Sequence, residues 1–121
     1  TDTKAAAEEA YRQLGRIDAL VNGAAVREPS ATILEYNLAQ WNLVYNVMVG
    51  GAFLMSKWVV PFMVKGGGGS IIHIASQLGS VGTPGRAAYC SAKGSTCSGA
   101  SASRRRSPAR RSSSRATRRA S

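Results

Sequence analysis

The chain has 121 residues and a formal net charge of +10, from sixteen Lys and Arg against six Asp and Glu. That excess is confined to one end. Through Lys93, eight cations face six acids and every aromatic residue is present; from Gly94 onward there are eight arginines, no acid, no aromatic and no Leu, Ile, Val or Met. Bulk charge is therefore no guide to what residues 1–93 do. The two cysteines, Cys90 and Cys97, make neither a metal-binding spacing nor a disulfide framework, so no metal centre is expected and a reducing cytoplasm is the expected location. No signal peptide is read. The longest apolar stretch, Val44 to Val64, is interrupted by Asn46, Ser56, Lys57 and Pro61, which argues against a membrane span.

Thr3 to Leu14 predicts a helix, because alanines at 5, 6, 7 and 10 are strong formers, Asp2 or Thr3 can cap its start and Gly15 stops it. Asp18 to Val21 is a short apolar run that enters Asn22-Gly23-Ala24-Ala25, small residues that let a strand end approach a ligand closely or simply turn. Arg27 to Asn37 reads as a loop with a short helical element. Leu38 to Val64 then has the period of one long helix, with an apolar stripe through Trp41, Val44, Tyr45, Met48, Gly51, Ala52, Met55 and Val59.

Gly66 to Gly69 reads as a flexible connector. It lacks the Lys-Ser/Thr of a phosphate loop and precedes a strand rather than a helix, so it is not assigned to phosphate. Ser70 to Ala75 predicts a buried parallel strand in which His73 is a packed or hydrogen-bonded residue. A Gly- and Pro-containing loop, Ser76 to Arg86, could close over a substrate, and a helix begins at Ala87.

Ser76, Tyr89 and Lys93 carry the chemistry. Four residues apart on a helix, Tyr89 and Lys93 share a face, so the ammonium can come near the phenol and favour its ionised form. Such a tyrosine can pass a proton while a cofactor passes a hydride, and Ser76 could hold a substrate oxygen nearby. A Tyr-x-x-x-Lys pair alone is common on solvated helices, but here it follows Gly-Arg-Ile-Asp-Ala-Leu-Val-Asn-Gly-Ala-Ala (15–25), the helix Trp41 to Lys57, and Gly-Ser-Ile-Ile-His-Ile-Ala-Ser (69–76).

In that order, over roughly Ala5 to Lys93, the chain resembles the central portion of the short-chain dehydrogenase/reductase family. The resemblance implies part of an α/β Rossmann-like, doubly wound parallel sheet, about two strands and two to three helices of it. It implies an NAD(P)-dependent oxidoreductase interconverting a small-molecule carbonyl and a secondary alcohol. Tyr89 would be the acid/base, Lys93 would support it and bind the nicotinamide ribose, and Ser76 would orient the carbonyl. Asn22, Gly23 and Ala24 would lie against NAD or NADP, where the family usually has Asn-Asn-Ala-Gly; Gly23 and Ala25 depart from that motif. The family asparagine, seven residues after a tryptophan, falls on Met48; Asn46 lies about 200° away around the helix, and Met48 is expected to hold the position. The family also implies a homo-oligomer built partly on the long helix. No Gly-x-x-x-Gly-x-Gly occurs in the chain, so weak cofactor binding and no activity are expected of the 121 residues alone.

Residues 94–121 predict a disordered, low-complexity Ser/Arg/Ala tail, unable to bury enough apolar area to offset its ordering entropy. It reads either as an out-of-frame translation of a GC-rich gene, favoured by the abrupt change within a motif helix, or as a nucleic-acid-binding tail neutralising phosphates. In the second case the whole protein would be a non-enzymatic nucleic-acid binder.

Overall fold

The computed structural model describes residues 2–98. Three helices lie on one face of a two-stranded parallel sheet, in the order α1 (Asp2–Leu14), β1 (Ala19–Asn22), α2 (Leu38–Lys65), β2 (Ser70–His73) and α3 (Ala87–Ser98). The partial α/β architecture read from the sequence is therefore the one observed. The strands pair in register from Ala19 with Ser70 to Asn22 with His73. Their pleat sends Leu20, Asn22, Ile71 and His73 toward the helices and leaves Val21 and Ile72 exposed on the other face.

Two apolar clusters hold the helices. Ala7 of α1, Ile17, and Val59 and Met63 of α2 form one, joined by Leu20 and Ile71 of the sheet. Val44 and Met48 of α2 with Ala88 and Ala92 of α3 form the other. The stripe expected on the long helix is the face that packs. By length and composition Leu38–Lys65 would also suffice to cross a membrane, but here it is docked between α1, β1 and α3.

Three local differences from the sequence reading have physical causes. The long helix is not uniform: Asn46–Gly50 is a π-helical turn, in which the Gly51 amide reaches the Asn46 carbonyl. Gly66–Gly69 is not a loose connector. The Gly68 amide bonds to the Met63 carbonyl at 2.8 Å and the Gly67 amide to Val64 at 3.1 Å, a Schellman cap that needs the positive φ of Gly67 (95°). Finally, α3 continues past Lys93 to Ser98 because Gly94 fits tightly against Gly79 and the hydroxyls of Ser95 and Thr96 bond back to carbonyls one turn earlier. Between Arg27 and Asn37 the chain makes a turn at residues 33–35 and no helix. The tail expectation for residues 99–121 lies outside the described residues.

Candidate active site

The C-terminal ends of the parallel strands and the first turns of α3 meet at one end of the sheet. Tyr89 and Lys93 share a face of α3, as four-residue spacing requires, with the ammonium 5.8 Å from the centroid of the Tyr89 ring. Lys93 is 5% exposed and donates to the Ile74 carbonyl at 2.6 Å, just beyond β2. A buried ammonium needs such a partner. That bond fixes the lysine to the end of the strand and leaves two of its three donors for a ligand.

Ser76 follows β2 and caps the 3₁₀ turn Gln77–Gly79, its hydroxyl accepting from the Leu78 amide at 3.2 Å. The turn packs on α3 through a glycine contact: a Cβ on Gly79 would sit 2.7 Å from the Lys93 carbonyl carbon. The loop after β2 is thus brought against the helix that carries Tyr89 and Lys93. Ser76 itself is half-buried and lines neither of two hollows in this region.

Those hollows are different in kind. One, of about 410 Å³, lies between the sheet and α2 and is lined by Asn22, Gly23, Ala24, Met48, His73 and Lys93, among others. The other is an open cleft of about 610 Å³ over Tyr89, lined also by Val26, Arg27, Leu78, Thr83 and Arg86. The first is the more enclosed, but of the two only the second has Tyr89 in its lining.

Asn22 does not present its amide to the open end of the sheet. Its side chain donates to Ser56 Oγ at 3.2 Å and contacts His73 Nδ1 at 3.3 Å and the Ala52 carbonyl at 3.4 Å, tying β1 to α2 and β2. Strand alternation explains this, since Asn22 shares the inward face with Leu20. His73 is a hydrogen-bonded strand residue. Gly23 and Ala24, exposed just past the strand, leave the backbone open to a flat ligand. Met48 is 3% exposed and shares the first hollow with Lys93, whereas Asn46 is exposed and lines neither hollow. The π-turn displaces the helix without bringing Asn46 inward.

Glu28 is a participant that sequence reasoning missed. This carboxylate is 2% exposed; Oε1 accepts the backbone N–H of Tyr89 at 3.1 Å and Oε2 accepts the Tyr36 hydroxyl. It caps the first turn of α3. Burial, then the Glu28 hydrogen bond and charge, push the Tyr36 hydroxyl up to about 12. A further backbone bond, Ala31 N–H to the Gly85 carbonyl at 3.2 Å, ties the same two loops. The only hint in the sequence is an acid beside Pro29 in a loop, and its partner stands 61 residues away.

Parallel strands joined through helices, with a lysine and a tyrosine at their C-terminal ends, define an α/β protein of Rossmann-like architecture. Comparison with known proteins makes the assignment specific. The chain belongs to the short chain dehydrogenase family, whose model matches residues 1–108. It is 36% identical over 90 residues to 3-oxoacyl-[acyl-carrier-protein] reductase FabG of Thermotoga maritima, covering 74% of this chain and 36% of that protein. D-threitol dehydrogenase of Mycolicibacterium smegmatis is 38% identical over 90 residues, covering 74% and 34%. Among solved structures, NAD+-bound xylitol dehydrogenase superposes with a TM-score of 0.75 at 30% identity, over 79% of this chain and 37% of that one. ElxO with NADP bound gives 0.74 at 25%, over 79% and 39%. The chain thus spans about a third of the length of the relatives it matches.

Proposed function

We propose that this chain carries the proton-transfer centre of an NAD(P)-dependent oxidoreductase that interconverts a carbonyl and a secondary alcohol. The observation that carries the reading is the Tyr89–Lys93 pair, one helical turn apart, with the ammonium held at Ile74 and Tyr89 lining an open cleft. The relatives named above support it, since they are reductases and dehydrogenases and two related structures hold NAD+ or NADP.

Reduction would run as follows for this chain's own groups. The substrate carbonyl lies in the cleft over Tyr89 and takes the phenolic proton as negative charge grows on its oxygen. Lys93, its charge fixed beside the ring, stabilises the phenolate that remains. Ser76 would bond the same oxygen after a rotation that releases the Leu78 amide. Gly23, Ala24 and the free donors of Lys93 fit the ribose end of a nicotinamide nucleotide, which when bound supplies or accepts the hydride. Met48 in the family asparagine position cannot hydrogen-bond like an amide, so proton supply to Lys93 runs by another route. The exposed Leu43, Phe53, Val60 and Val64 of α2 support packing against a second copy, as the family resemblance implies.

The test is a chimera in which residues 1–98 replace the matching segment of D-threitol dehydrogenase. It should oxidise a secondary alcohol with formation of reduced nicotinamide, and Tyr89→Phe should lower turnover by about 10²–10⁴-fold. Equal turnover in Tyr89→Phe would overturn the role of Tyr89.

A further inference from the structure

The described residues contain four arginines, and they divide into two kinds. Arg12 bonds Glu9 at 2.8 and 2.5 Å, and Arg16 bonds both oxygens of Asp18 at 2.6 to 3.1 Å. Arg27 and Arg86 have no carboxylate partner among the described residues. The lysines are all engaged: Lys4 with Glu8, Lys57 and Lys65 over aromatic rings, and Lys93 with Ile74. Arg27 and Arg86 both line the same cleft, the one that Tyr89 also lines.

Their loops explain how they converge. Arg27 follows β1 and Arg86 immediately precedes α3, and the Glu28–Tyr89 and Ala31–Gly85 bonds clamp those two loops together. The acid nearest in sequence to Arg27 is no counter-ion for either arginine, because Glu28 is buried and its two oxygens take the Tyr89 amide and the Tyr36 hydroxyl. Two like charges held on one cleft repel each other, and a guanidinium fork matches a carboxylate or phosphate in plane. An anion in the cleft would answer both charges at once. Val26 and Leu78 offer it a short apolar wall and Thr83 a hydroxyl.

We propose that the substrate of the Tyr89 site is an oxo or hydroxy acid, whose carboxylate is clamped between Arg27 and Arg86 while its carbonyl or carbinol carbon lies at Tyr89. The proposal deepens the oxidoreductase reading and rests on it for the identity of the reacting group. The cleft volume, about 610 Å³, falls in the range of small-molecule sites, about 300–1,000 Å³. Phosphate shares the recognition chemistry, so the test separates the two anions.

The measurement is amide chemical-shift titration of the nitrogen-15-labelled 121-residue chain, at fixed ionic strength and without cofactor. The probes are β-hydroxybutyrate, the neutral secondary alcohol sec-butanol, and inorganic phosphate. β-Hydroxybutyrate should give saturable shifts at Leu78, Thr83 and Tyr89, with affinity about tenfold weaker in Arg27→Gln and in Arg86→Gln, as loss of a charge-assisted bond predicts. Sec-butanol should leave those amides unmoved, and phosphate should bind more weakly than the carboxylate. Arg27→Lys keeps the charge but not the fork and should fall between wild type and Arg27→Gln. Unchanged α1 and β1 resonances establish that a variant is folded; Arg27, exposed in its loop, carries the test if Arg86→Gln is not.

Equal shifts with sec-butanol, or carboxylate binding indifferent to both Gln substitutions, would overturn the proposal, the second outcome assigning the binding to the tail arginines. Phosphate binding tighter than carboxylate would overturn the oxo-acid assignment. Because binding is read without hydride transfer, an intact titration beside an inactive chimera refutes the redox reading alone. An active chimera beside a failed titration refutes only the acid clamp.

Discussion

Replacing Glu28 tests whether a buried carboxylate sets the position of Tyr89. Its two oxygens serve different donors, the Tyr89 amide at 3.1 Å and the Tyr36 hydroxyl. Glu28→Ala removes both bonds and leaves both donors in a region that Glu28 itself shows to be 2% exposed. Hydrogen bonds to a charged group contribute about 1.5–3 kcal/mol each, and the desolvation regained when the carboxylate is deleted offsets part of that. The expected net cost is about 2–4 kcal/mol, a large share of the roughly 5–15 kcal/mol by which a small domain is stable. Glu28→Gln behaves differently. Its carbonyl oxygen can keep the Tyr89 amide while its NH₂ donates to the Tyr36 oxygen after the hydroxyl turns, so only the charge assistance is lost, about 1 kcal/mol. Urea unfolding followed by tryptophan fluorescence gives the two costs, and hydrogen exchange at the Tyr89 amide gives the local effect. Exchange there should accelerate in Glu28→Ala more than at Ala7 or Val59. An alanine variant no less stable than the glutamine variant, or a Tyr89 amide that exchanges no faster, would refute the capping role.

Two further outcomes follow from the same region. Gly79→Ala places a Cβ 2.7 Å from backbone atoms of Lys93, so it should cost about 1–3 kcal/mol by overpacking, whereas Gly82→Ala, with nothing within 4 Å, should be near neutral in the same unfolding assay. Tyr36, whose hydroxyl is pushed up to about 12 in the fold, binds its proton more tightly folded than unfolded, where it titrates at about 10. Its stabilising contribution is therefore complete below about pH 10 and is lost as pH rises toward 12; in Tyr36→Phe that part of the alkaline loss should vanish from unfolding midpoints measured across this range.

Element types were legible because they depend on local pattern. The alanine run of α1, the apolar stripe of α2 and the isoleucines of β2 specify their partners within a few residues. Asn22 shows where motif reading stops. Its match to a family motif implied a place against a cofactor, yet the period of two that makes β1 a strand also puts Asn22 on the face of Leu20, where its amide meets Ser56 and His73. Gly66–Gly69 shows the same limit: four glycines look shapeless until the helix they terminate supplies the Met63 and Val64 carbonyls. Glu28 was beyond reach, since its role depends on a contact 61 residues away that no local period marks.

The composition of α3 explains why those distant ties matter. Among its described side chains, Ala88 and Ala92 are the buried apolar ones, with Tyr89 packed beside them, and a methyl group contributes little on burial. A helix of Ala, Ser, Gly and Cys cannot find its place by apolar area alone. What locates it is close approach at Gly79 and Gly94, the Lys93–Ile74 bond, and Glu28 at its first turn. Each of these ties joins α3 to a loop after β1 or β2, so the strand ends, together with the small cluster on Val44 and Met48, set where Tyr89 lies. Weakening one tie should therefore change the Tyr89 amide and the Lys93 environment before it changes the α1–α2 core, whose Ala7, Ile17, Val59 and Met63 make no use of α3. A site built this way is sensitive at its loops and tolerant in its core, the reverse of what the apolar pattern of the sequence alone would suggest.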